Sequence, residues 1–193
     1  RNELNHNANR AFAVLNPIKL IIDNYPSDHY EELEAPNHPS NPAFGSHTLR
    51  FSRELYIDST DFMVNPNKGF FRLSLGAEVR LKYGYIIKCT DFKIDDTTGQ
   101  VSEIHCVYDP ETKGGQTKDN RKVRGTIHWL STMGCENAEI RLYDHLFIEQ
   151  HPDKLEDITT GLNPFSKTVL TSCKIEPRLV QASIQDRYQF ERS

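Results

Sequence analysis

Residues 67–88, NKGFFRLSLGAEVRLKYGYIIK, constrain this chain more than any other stretch. In the second half Val79, Leu81, Tyr83, Tyr85 and Ile87 fall on one face of a strand, with Arg80, Lys82 and Lys88 on the other. The first half also alternates, Phe71, Leu73 and Leu75 against Phe70, Arg72 and Ser74. A three-residue hairpin loop at Gly76-Ala77-Glu78 pairs Ser74 with Arg80 and Arg72 with Lys82, and keeps the apolar set together. A two-residue loop pairs Leu73 with Arg80 and mixes the faces, so register predicts the longer loop. The polar face then carries Arg72, Arg80 and Lys82 close together without carboxylates. Cations so placed repel unless a polyanion visits them, and an ordinary solvated face is the competing reading.

The rest of the sequence reads as short strands between turn signals. Asn16-Pro17 breaks residues 10–24 into two extended pieces, because proline makes one continuous helix costly. Residues 27–41 are acidic and proline-bearing, and PNHP at 36–39 reads as an extended turn. Residues 50–58 are a strand candidate, with Phe51, Leu55 and Ile57 apolar. The central strand runs on to Asp95, turns through DDTTG, and returns over 101–109. The polar, Gly-rich loop 110–120 is expected to be mobile and to separate two packing units. Beyond it Val123, Ile127 and Trp129 alternate with Lys122, Arg124 and His128. Further strands follow at 139–143, 168–175 and 187–192. Weak helical periodicity and no repeat predict an all-β, barrel-type protein.

Composition removes several function classes. A net charge of −4 excludes a generally basic nucleic-acid binder, so any such binding must come from local patches. No apolar run reaches about 18 residues and no signal-peptide core opens the chain, which predicts a soluble, cytoplasmic protein without a membrane partner. The chain starts without Met and is expected to be a fragment. Cys89, Cys106, Cys135 and Cys173 form no CxxC pair and are expected to be free thiols, at least two of them buried. The eight histidines lack HxxxH or HExxH spacing, so no metal site is expected. GxSxG, P-loop and GxGxxG motifs are absent. His105 and Cys106 are strand neighbours pointing to opposite faces, and His128 reads as a satisfied strand histidine. The chain alone is therefore expected to catalyse nothing.

Its binding chemistry is stronger. Arg10, Arg72, Arg80, Lys82, Lys122 and Arg124 are interleaved with Tyr and Phe. Guanidinium forks read base edges and aromatic planes stack unpaired bases. With no amphipathic recognition helix, a single-stranded RNA loop fits better than duplex DNA.

The segments RAFAVLNPIKLIIDNY, PNHPSNPAFGS, LGAEVRLKYGYIIK, KVRGTIHWLS, EIRLYDHLF and YQFER resemble, in this order, the anticodon-binding region of glutaminyl-tRNA synthetases, from about Leu4 to Arg192. The resemblance implies two antiparallel β-barrels gripping the unstacked anticodon of glutamine tRNA. The first spans about 25–115 and the second about 10–24 plus 121–193, with its last edge left open. It implies Arg10 and Gln189 on the middle anticodon base with Arg192 beside them, Arg72 on the third base, and Arg80 with Lys82 on the first. Pro39 lies where such chains close on the loop, and Lys122 and Arg124 are left as phosphate contacts. Gly69 and Phe71 stand where bacterial members often have glutamine and lysine. Lys82 stands where arginine is common, losing the planar fork, and Asn9 replaces a usual proline. The parent protein would be a monomeric ligase joining glutamine to its tRNA with ATP and magnesium, while this piece would need no cofactor. The alternatives are the related barrels of a glutamyl-tRNA synthetase, or a stand-alone barrel that binds RNA or protein.

Overall fold

Strands form where apolar and polar residues keep a period of two, and Pro17–Ile22 shows the rule most plainly. Ile18, Leu20 and Ile22 are buried while Lys19 points out and pairs with Glu54 at 3.1 Å. The computed structural model describes residues 2–191. These hold one six-residue helix, α1 (Asn2–Asn7), and fourteen strands. The N-terminal strands are β1 (Asn9–Ala11), β2 (Ala13–Val14), β3 (Pro17–Ile22), β4 (Tyr30–Pro36), β5 (Ser46–Ser52) and β6 (Glu54–Asp58). The middle of the chain supplies β7 (Glu78–Leu81), β8 (Ile86–Ile94), β9 (Val101–Asp109), β10 (Gly125–Ile127) and β11 (Leu130–Ser131). Last come β12 (Glu136–Tyr143), β13 (Lys167–Ile175) and β14 (Tyr188–Phe190).

Seven strands form one sheet in the order β10-β7-β8-β9-β3-β6-β11. Its two edge strands, β10 and β11, are joined by His128 and Trp129 alone. Three Cα steps of 3.8 Å limit their adjoining ends to about 11 Å apart, so the sheet must curl. The result is a partly closed barrel around Leu20, Phe51, Leu55, Leu81, Ile104 and Trp129. The all-β expectation holds, but the pairing is mixed. β3 with β9, β7 with β10, and β1 with β14 run parallel, because long connections carry the chain back between the paired strands. The remaining sheets are β12-β13-β2, β4-β5 and β1-β14. Among the described residues β14 has β1 as its strand partner and no strand on its other side.

The predicted hairpin at Gly76-Ala77-Glu78 does not form. β7 starts at Glu78 and turns back through Lys82–Gly84, with Glu78 opposite Lys88 and Val79 opposite Ile87. Leu81 N donates to Tyr85 O and Gly84 N to Leu81 O, both at 2.8 Å, and Tyr83 takes φ 63°. The Trp129 indole donates to Lys82 O at 3.0 Å, and its ring packs 3.5 Å from where a Cβ on Gly84 would sit. Residues 67–75 form turns instead of a strand. Leu73 is buried and bridges to Phe62, whereas Phe71 and Leu75 are about half exposed.

Three other expectations change. The strand expected over 50–58 breaks at Arg53 into β5 and β6, which belong to different sheets. β4 lay hidden in an acidic stretch, yet it pairs with β5 from Tyr30↔Ser52 to Pro36↔Ser46, burying Leu33 and Ala35 between exposed glutamates. The predicted alternation past Ile127 stops because His128 and Trp129 are both buried. The Asn16-Pro17 break, the β8–β9 hairpin and β13 appear as expected. All four cysteines are free, and Cys89, Cys106 and Cys173 are buried. No described helix is long and apolar enough to cross a membrane.

Candidate nucleic-acid interface

The β1–β14 register places Arg10 directly opposite Gln189. Arg10 is 7% exposed, and its Nη2 donates to Asn5 O at 3.2 Å. Its Nη1 and the Gln189 Oε1 are buried without hydrogen-bond partners among the described residues. Glu191, held by its own N–H to Ala11 O, gathers the nearby cations: Lys82 Nζ lies 2.5 Å from Oε2 and Arg10 Nε 3.8 Å from Oε1. Burial, then the Glu191 carboxylate, pushes the Tyr83 phenol up to about 12. Exposed Pro39 follows His38, whose Nδ1 accepts from Ser40 N and Asn41 N while Nε2 donates to Asn5 O at 2.9 Å. The Asn5 carbonyl thus ties the PNHP turn to Arg10. Arg192 lies outside the described residues.

A second feature is a groove of about 770 Å³ lined by Lys68, Phe71, Arg72, Lys88, Lys122 and Arg124. Its carboxylate, Glu78, pairs with Arg121 at 3.1 Å, so this region of an acidic chain is locally cationic. Asp61, fully buried, holds Arg72 Nε at 3.1 Å, with His128 Nδ1 3.7 Å from its other oxygen. The Arg124 guanidinium sits 5.0 Å from the Phe71 ring centroid. Gly125 makes this arrangement possible, because a Cβ there would collide with the Phe71 carbonyl.

The three cations expected on one polar face are therefore divided. Arg72 lines the groove against Asp61, and Lys82 meets Glu191 beside Arg10. Arg80 Nε donates to Gly115 O at 2.5 Å and Nη1 to Thr126 Oγ1 at 3.4 Å, tying the 110–120 loop to β7. The expectation of cations without carboxylates fails because it rested on the wrong hairpin. Asp61 is eleven positions from Arg72 and Glu191 is 109 positions from Lys82, so no local pattern could have shown either pairing.

Two family models, each described as the anticodon-binding domain of class I tRNA synthetases (E and Q), match residues 8–109 and 126–193. The chain belongs to this family. Over its whole length it is 55% identical to a glutamine–tRNA ligase of Nitrosomonas europaea, 47% to one of Bradyrhizobium diazoefficiens and 46% to one of Pseudomonas putida. It spans about a third of the length of these relatives, 34% of each.

In this anticodon-binding domain a buried carboxylate underlies Arg10. Glu176, at the end of β13, is 1% exposed and accepts from Phe12 N at 2.5 Å. His47 Nε2 is 3.3 Å from its Oε2, and Arg178 Nε donates to the same oxygen. Arg178 also donates to Asn37 Oδ1 at 2.9 Å and to the Arg10 carbonyl. Burial pushes the Glu176 pKa up, but hydrogen bonds from His47 and Arg178 outweigh it and hold the carboxyl below its ordinary value of 4.5.

Proposed function

We propose that this chain is the anticodon-recognition region of a cytoplasmic, monomeric glutamine–tRNA ligase. The observation that carries the reading is the buried, unpartnered pair of Arg10 Nη1 and Gln189 Oε1 in direct register. One is a donor and the other an acceptor, on strands in register, and the edge of uracil, whose N3–H lies between two carbonyls, offers the complement of each. Buried polar groups left unpaired are costly, so a ligand that satisfies both gains affinity and selectivity. The glutamine codons CAA and CAG require uracil as the middle anticodon base. Arg72 is assigned to the third base and Arg80 with Lys82 to the first, while Pro39 closes beside the loop. Exposed Lys122 and Arg124 face phosphates. The whole-chain likeness to glutamine ligases favours glutamine over glutamate.

The ATP and magnesium of the full reaction belong, in this proposal, to the catalytic portion of the parent protein.

The test is filter binding of the full-length protein to glutamine tRNA and to the same tRNA with cytosine at the middle anticodon position. Cytosine presents an acceptor at N3 and a donor at C4, reversing the match, so affinity should fall about ten- to hundredfold. Equal affinities would refute the reading. Lys122→Ala should weaken every tRNA alike and make log K against log salt shallower by about 0.7–0.9, the loss of one phosphate contact. An unchanged slope would remove Lys122 from the interface.

A further inference from the structure

We propose that Phe71, backed by Arg124, is a stacking platform for the anticodon base whose edge Arg72 reads. This rests on the anticodon reading above and adds a residue to it. Of the two large apolar side chains that flank Arg72, Leu73 turns inward at 0% exposure. Phe71 instead stays 51% exposed. It does so inside the cationic groove, with Arg72 next to it in the chain and Lys68, Lys122 and Arg124 around it. The backbone that carries the ring is held from several sides. Gly125 abuts its carbonyl, Leu73 anchors the segment by bridging to Phe62, and Asp61 grips Arg72.

These features divide the recognition chemistry. An aromatic face stacks any base, because every base has a π surface, and a guanidinium behind the ring adds cation–π attraction. A fork of N–H donors distinguishes one base edge from another. Phe71 therefore supplies affinity without identity, and Arg72 supplies identity. A lysine at position 71 would offer charge but no plane, so this groove holds its base by a different physical means from one built on lysine.

The experiment measures filter-binding affinities of the full-length protein and its Phe71→Ala, Phe71→Leu and Phe71→Trp variants. The RNAs are glutamine tRNA, the same tRNA with each base in turn at the third anticodon position, and the same tRNA abasic there. Phe71→Ala should cost about tenfold or more against every base at that position and nothing further against the abasic tRNA. Phe71→Leu, which keeps apolar bulk without a π face, should lose most of the same affinity, and Phe71→Trp should retain it. The ratio of affinities between the bases should survive in Phe71→Ala, which also separates a stacking loss from a collapsed groove. Wild-type affinity that ignores the third base would sink the anticodon reading itself. If wild type discriminates but Phe71→Ala binds as tightly, or loses equally against the abasic tRNA, the platform alone is wrong.

Discussion

Glu176→Ala is expected to lower the unfolding free energy of this domain by about 3 kcal/mol, at the low end for breaking a buried ion pair. The carboxylate is 1% exposed, accepts from the Phe12 N–H and Arg178 Nε, and has His47 Nε2 3.3 Å away. Removing it strands a buried donor and two cationic or polar groups, and leaves a cavity of several atoms. The loss stays below the top of the range because the Arg178 side chain is 28% exposed and can turn to water. Glu176→Gln keeps the shape and an acceptor for Phe12 N, so it should cost about half as much.

The pH dependence has a definite sign. A carboxyl held below 4.5 when folded stabilises the fold above about pH 4.5, and that contribution disappears as pH falls through the folded value. Urea unfolding at pH 7 should therefore separate wild type from Glu176→Gln, and the gap should narrow as pH falls below the ordinary carboxyl value of 4.5. A gap that is constant with pH would mean that the carboxylate charge contributes nothing.

Much of the strand framework was legible because burial on one face enforces period two. β3 shows this throughout its length, and β8 and β9 over part of theirs. The turn at Lys82–Gly84 escaped for a specific reason: Tyr83 and Tyr85 keep the parity of Val79 and Leu81, so the pattern runs unbroken through a reversal of direction. Gly84 was the available signal. β4 escaped because Glu31, Glu32 and Glu34 suggest a solvated loop, although Leu33 and Ala35 alternate correctly among them. The candidate site was approached in a different way. Arg10 and Gln189 were reached through resemblance, and their register across β1 and β14 then gave the pairing a physical basis. Asp61 and Glu191 are joined to their cations by tertiary packing, which leaves no periodic trace, and Glu176, two residues from Arg178, is brought to Phe12 N and His47 in the same way.

Arg72→Ala is expected to weaken binding of glutamine tRNA by about ten- to hundredfold, the value of a bidentate arginine–base contact. It should also erase most of the preference over glutamate tRNA. Glutamine codons begin with C and glutamate codons with G, so the third anticodon base is G in one tRNA and C in the other. An arginine fork fits the O6 and N7 acceptors of G and meets the N4 donor of C. The measurement is the affinity of the full-length protein for both tRNAs, and equal losses for the two would reduce Arg72 to a phosphate clamp. Asp61 gives the assignment a second handle, because its carboxylate orients the guanidinium from a fully buried position. Asp61→Asn keeps the side-chain shape but removes a negative charge from beside the groove. Binding of all tRNAs should therefore tighten at low salt while the glutamine-over-glutamate ratio falls. Those opposite signs belong to a positioning role. A purely structural role for Asp61 would weaken both tRNAs together.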